Sequence, residues 1–184
     1  MLSRDEAIKL LKKYVKDERL LKKSIITELL LRNIAKILRE DEELWGLTGL
    51  LHNLDYDYTK DNPEKRGSLS ANLLENLLPE NSINAIKANN YMHTDYIPIS
   101  SLDKSLISTS ELAGFIVTVV QSMPSHHLSE VDIDTLLAKF NDQNFATKSN
   151  RNKIKLCEDV GLNLKNYFNL ALITLRPISD KLDL

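Results

Sequence analysis

Apolar side chains recur along this chain with a helical period. Ala7, Leu10, Leu11 and Tyr14 share one face of a first helix, and Ser3 with Glu6 reads as its capping box. Ile26, Leu30, Ile34 and Ile37 form one stripe of a second helix, predicted over residues 18–39. A third, from residue 42 to about 54 with Asp41 as cap, differs in character. Leu44, Trp45, Leu47, Leu50, Leu51 and Leu54 surround much of its circumference, which predicts a central, buried helix. Gly46 and Gly49 lower its helix propensity, and close approach by a neighbouring helix is the expected return.

Residues 55–67, reading DYDYTKDNPEKRG, are polar and contain a proline, so a loop is expected there. Two short helices follow over about 68–78 and 80–91, parted by Pro79. A long one covers about 101–121, with Ser100 or Ser101 as cap. Within it FIVTVV is β-branched, yet the chain offers no second strand to pair with it, so a helix is predicted. SMPSHHLSE reads as a loop, Ser129 with Asp132 as a helix start, and KFNDQNFATKSNRNK as irregular. A last helix is expected over about 163–175. The sum is an all-α, single-domain helical bundle of about seven helices over residues 1–184.

Composition sharpens this reading in a few places. Five Gly and five Pro in 184 residues agree with helices. The single Cys157 excludes a disulfide framework and a zinc site built on paired thiolates, and it reads as a small core residue. A net charge of −2 gives no polycationic signal, so nucleic acid is not an expected partner. The longest uncharged stretch, residues 112–128, is too short and too polar in its second half to span a bilayer. The charged N-terminus has no apolar core of the kind a signal peptide needs. A cytoplasmic protein with no membrane partner is the expectation.

The candidate chemistry centres on His52. It ends the most apolar helix and is followed by Asn53, Asp55 and Asp57, so imidazole and carboxylates suited to a divalent metal lie close together in sequence. A hydrogen-bonded core histidine explains the same residue. His93 with Asp95 is a second candidate pair. His126 and His127 are adjacent and point opposite ways on an extended chain, so they are poor joint ligands. Tyr56, Tyr58, Lys60, Lys65 and Arg66 could touch a phosphate, or simply form a solvated loop. No P-loop, nucleotide-fold glycine pattern or nucleophile elbow is present.

Taken together, EDEELWGLTGLLHNLDYD, Arg66–Gly67, LPENSINAIKANN, SELAGFIV and FATKSNR resemble the HD-domain superfamily, all-α metal-dependent phosphohydrolases. The closer resemblance is to small bacterial HD-domain proteins regarded as hydrolases. The family's early histidine falls on Lys23, its histidine–aspartate pair on His52 and Asn53, and its distant aspartate on Ser110. Two further pocket histidines fall on Arg66 and Asn89. Of these six positions only His52 keeps the expected type. Asp55, Glu28 and Glu111 also fit the family pattern.

The resemblance thus implies the fold while its metal site is degenerate. Asn53 and Ser110 are neutral, and an ammonium at Lys23 repels a cation. Without metal-activated water the inherited hydrolysis loses its nucleophile, so neither catalytic residues nor a cofactor are expected. Two roles remain for the pocket. Lys23 can act as an internal plug, paired with Asn53, Ser110, Glu28 or Asp55. Alternatively Lys23, Arg66 and His52 converge on a metal-free site for a phosphate-containing small molecule. One alternative is an active phosphohydrolase holding Mn, Fe, Mg or Zn through His52 with Asp55, His93 or Asp95. The other is a helical interaction or homo-oligomerisation module, for which an exposed face around Tyr167, Phe168, Leu172 and Ile173 would speak.

Overall fold

Side chains placed just ahead of each apolar stretch start the N-terminal helices. In the computed structural model, which describes residues 2–184, α1 spans Arg4–Tyr14, α2 Glu18–Leu38 and α3 Glu42–Leu51. The Ser3 hydroxyl accepts from the Glu6 amide, and the Glu6 carboxylate accepts from the Ser3 amide at 2.8 Å, closing the expected capping box. Asp17 caps α2 through the amides of Arg19 and Leu20, and Asp41 caps α3 through that of Leu44. Arg39, in the left-handed region at φ 59°, ends α2 and turns the chain toward α3.

Helix α3 is the central element, with all eight residues from Leu44 to Leu51 buried. It lies against α2 through its glycines. A Cβ at Gly49 would stand 3.1 Å from the Thr27 carbonyl oxygen and 3.2 Å from Glu28 Cα, so the two backbones nearly touch. At Gly46 the vacant space holds the Arg32 side chain, whose Nε donates to buried Glu28 at 3.1 Å. Arg4 reaches Glu28 from α1 at 2.6 Å, and Arg32 also pairs with Glu43 of α3 at 2.8 Å, so this chain of ion pairs joins the first three helices.

The loop after α3 is tied back to the core. Asp55 is buried, and its Oδ2 accepts from the Gly67 amide at 2.7 Å and the Ser70 amide at 3.0 Å. Gly67 sits at φ 85°, and a Cβ there would lie 2.8 Å from the Ile86 carbonyl oxygen, so glycine is required at this crossing. Helices α4 (Ser68–Leu74) and α5 (Glu80–Ala88) follow, both shorter than their apolar pattern predicts. Helix α6 runs Ser101–Gln121, with Ser100 and Asp103 forming a second capping box, and its FIVTVV stretch is helical. Phe115 of α6 clusters with Phe140, Phe145 and Phe168 at ring separations of 5.9, 6.1 and 6.4 Å, so aromatic packing joins α6 to α7 (Ile133–Asn141) and α9 (Leu164–Leu175).

The second half departs from expectation in four ways. Asp132 alone caps α7, because Ser129 belongs to a separate 3-10 turn at Leu128–Glu130. The stretch expected to be irregular, residues 139–153, runs at its end into α8 (Arg151–Lys155), capped by the Asn150 side chain. After α9 the chain adds a 3-10 turn and a final helical turn, α10 (Ser179–Leu182). The described residues therefore hold nine helices of five residues or more plus that turn, against about seven expected, and no strand. Tyr167, Phe168 and Leu172 are buried rather than exposed, which removes the face that would have spoken for an oligomerisation module; only Ile173 of that set is exposed. None of the described helices is long and apolar enough to cross a membrane.

Candidate functional site

Helices α2, α5, α6 and α8 and the loop after α3 enclose a cleft of about 110 Å³. Lys23, Asn53, Arg66, Asn89 and Ser110 all line it, joined by Tyr56, Asn90, Ile107, Glu111 and Lys153. Five of the six positions aligned with the family's ligand set thus meet at one place.

His52, the sixth, stands behind that wall. Its Nδ1 is 2.7 Å from the Gly49 carbonyl oxygen, which can only accept, so Nδ1 carries the proton. Its Nε2 therefore accepts from the Ser110 hydroxyl at 3.0 Å. Burial, reinforced by the charge of Lys23 and opposed by the Gly49 bond, pushes the imidazole down to about 3. A neutral ring with both nitrogens engaged adds no positive charge to the cleft. The expected role of His52 as an anion-binding group is corrected accordingly: it orients Ser110.

Lys23 projects from α2 toward Gly114 of α6, where an added Cβ would lie 3.8 Å from both Cε and Nζ. The expected internal plug does not form. Glu28 is taken by Arg4 and Arg32, and Asp55 by backbone amides. Among the described residues Nζ of Lys23 has no hydrogen bond and no ion pair closer than 4 Å. Desolvation holds its pKa below the ordinary lysine value; Lys153 and Arg66 push the same way, and Glu111 opposes them.

Arg66 lies with its guanidinium carbon 4.3 Å from the Tyr56 ring centroid, and its Nε is 3.5 Å from Thr59 Oγ1. Its terminal nitrogens bond to none of the described residues. The Asn90 amide fixes the loop that carries it, donating to the carbonyls of Pro63 at 2.8 Å and Arg66 at 3.0 Å. Lys153, from α8, sits 5.5 Å from the Tyr91 ring centroid without an ion pair. Glu111 is the one carboxylate on the lining, and its Oε1 accepts from the Asn150 amide at 2.9 Å. Three cations thus face the cleft against a single carboxylate. Lys153 was missed in the sequence because it lies in a stretch read as irregular, and only the helix there brings it to the site.

These residues do not fit a divalent metal. Such an ion needs several anionic or lone-pair donors, whereas the cleft offers one carboxylate, neutral Asn53 and Ser110, and three repelling cations. His93 and Asp95 are exposed on the segment after α5, and no three His, Cys, Asp or Glu side chains gather into a ligand set among the described residues. The substitute site built on His52 with Asp55, His93 or Asp95 is not assembled.

No family model, curated protein or solved structure matches this chain.

Proposed function

We propose that this protein is a metal-independent relative of the HD-domain phosphohydrolases whose cleft binds a small oxyanion, such as the phosphate group of a metabolite, without hydrolysing it. The observation that carries this reading is the set of three cations without ion pairs, Lys23, Arg66 and Lys153, around one small cleft. Crowding like charges beside buried groups is costly unless an anion offsets it. Arg66 presents free terminal N–H groups in a planar fork that suits phosphate oxygens, while the Lys23 and Lys153 ammonium groups act as point charges. Asn53 and Asn89 add neutral side chains able to donate to an oxygen. The kinship is supported by the way Lys23, Asn53, Arg66, Asn89 and Ser110, distant in sequence, line the same cleft.

The cleft accommodates a phosphoryl or carboxylate group and leaves the rest of a metabolite outside. Two or three charge-assisted hydrogen bonds, each contributing about 1.5–3 kcal/mol, correspond to binding in the micromolar to millimolar range. Calorimetric titration with inorganic phosphate and with a phosphomonoester should give saturable binding that weakens as salt rises. Arg66→Gln and Lys153→Gln should each reduce it about tenfold, the equivalent of about 1.4 kcal/mol. Absence of saturable binding to either anion would overturn the reading.

A further inference from the structure

We infer that Lys23 is a nucleophilic amine whose Nζ forms an imine with the carbonyl carbon of a small 2-oxo acid, the acid's carboxylate being held by Arg66 and Lys153. This rests on the oxyanion reading of the cleft and adds a reactive role to one of its walls.

The argument begins with the position of Nζ. It lines the cleft, lies against the open face of Gly114, and has no acceptor among the described residues to tie up its hydrogens or direct its lone pair elsewhere. The side chain is half-buried on the cleft wall, where a lysine that serves only as a structural cation is normally paired. Arg66 and Lys153 hold the carboxylate, so the unprotonated fraction of Lys23 is free to attack the carbonyl, while its protonated fraction joins them in holding an oxyanion. Burial and these two cations both enlarge the unprotonated fraction, the environment that activates lysine amines for attack on carbonyls.

Other nucleophiles near the site are less suited. The Ser110 hydroxyl donates to His52, but that imidazole, pushed down to about 3, is a weak base for removing its proton. Cys157 is buried away from the cleft lining, and burial pushes its thiol up to about 12. A neutral aldehyde would leave Arg66 and Lys153 unused. A 2-oxo acid uses both features, with its carboxylate on the cations and its carbonyl carbon toward Nζ.

In the first step the Nζ lone pair forms a C–N bond, and the C=O π electrons pass to oxygen, which takes up a proton. In the second the C–O bond breaks, the C=N bond forms, and one water leaves carrying both protons lost from the amine. Glu111 is placed to move these protons, since Oε1 is held by the Asn150 amide while Oε2 has no partner among the described residues. No oxidant or metal is required.

The test is reductive trapping on the full-length protein with pyruvate as probe and sodium borohydride as reductant, read by intact mass and peptide mapping. Expected is one reduced pyruvate adduct at Lys23, formed at least about tenfold faster than at any exposed lysine because of the larger fraction of free amine. Inorganic phosphate should compete with it, acetaldehyde should label Lys23 far more slowly than pyruvate does, and the adduct should be absent from Lys23→Arg. Mapping on the unaltered protein does not depend on any variant folding. Adducts spread over exposed lysines with none favoured at Lys23 would overturn the inference. If phosphate still bound in calorimetry, the oxyanion site would stand and only the amine chemistry would fall. If neither probe engaged the cleft, both readings would fail together.

Discussion

The hydroxyl of Ser110 and the imidazole of His52 lie 3.0 Å apart and form a closed unit, with the far ring nitrogen donating to the Gly49 carbonyl. Both residues are buried, so this short chain of bonds joins the end of α3 to the middle of α6 and leaves no polar ring atom unsatisfied. The histidine that the sequence offered as a candidate metal ligand is thus part of the scaffold behind the cleft.

That arrangement predicts a pH dependence. The folded-state imidazole titrates at about 3, below the ordinary histidine value of about 6.5. Between those values the unfolded chain binds the proton and the folded protein does not, so stability is present above pH 6.5 and lost as pH falls toward 3. Urea unfolding at pH 7 and pH 5 should differ by about 2 kcal/mol from this residue alone. His52→Gln lacks the titration, so its difference between the two pH values should be smaller by that amount. Equal differences in both proteins would contradict the assignment of a neutral, buried ring.

Gly49 sets the spacing of the two most closely packed helices. Gly49→Ala raises helix propensity, which would stabilise an exposed helix by up to about 1 kcal/mol. Here the new methyl would meet the Thr27 carbonyl and Glu28 Cα, both backbone atoms that cannot swing aside, as well as Leu31 Cδ1 at 2.8 Å. Overpacking should dominate, with a net loss of about 1–2 kcal/mol in chemical denaturation. A stabilised Gly49→Ala protein would show that the helices can part without cost.

Arg151 organises the loop that leads into α8. Its guanidinium donates to the carbonyls of Ala146 at 2.6 Å, Ser149 at 2.9 Å and Asp142 at 3.2 Å, and also to that of Phe145. An ammonium cannot reproduce this planar fork. Arg151→Lys should therefore lose about 2 kcal/mol, the equivalent of two or so charged hydrogen bonds, and open residues 142–150 to limited proteolysis. Unchanged protease resistance would mean the loop is held by other contacts.

The sequence was most informative where local chemistry and burial agree. Ser3–Glu6, Asp41 and Ser100 each stand directly before an apolar stretch, and each caps the helix it announces. The apolar girdle of α3 announced its central place, and its glycines the close approach of α2. The end of that helix was less legible. His52 read either as a metal ligand or as a hydrogen-bonded core histidine, and the sequence does not reveal that Gly49 and Ser110 occupy both its nitrogens. Lys153 was invisible for a different reason. Its helix has only five residues, too few for a periodic signal, and is held by Asn150 and by the neighbouring loop around Arg151. Glu28 was a candidate partner for Lys23, and only the packing of α1 against α2 shows that Arg4 claims it together with Arg32.

The most direct test of the account is a comparison of thermal stability for the unaltered protein and Lys23→Met, each with and without inorganic phosphate. Lys23 shares the cleft with Arg66 and Lys153 and has no ion pair, so methionine, of similar length and with no charge, should leave the phosphate-free protein at least as stable as the unaltered one. The unaltered protein should be further stabilised as phosphate is added, in proportion to the logarithm of its concentration above the dissociation constant, and Lys23→Met should respond much less. A Lys23→Met protein that is destabilised in buffer, or that gains as much from phosphate as the unaltered protein, would contradict a cleft built to receive an anion beside Lys23.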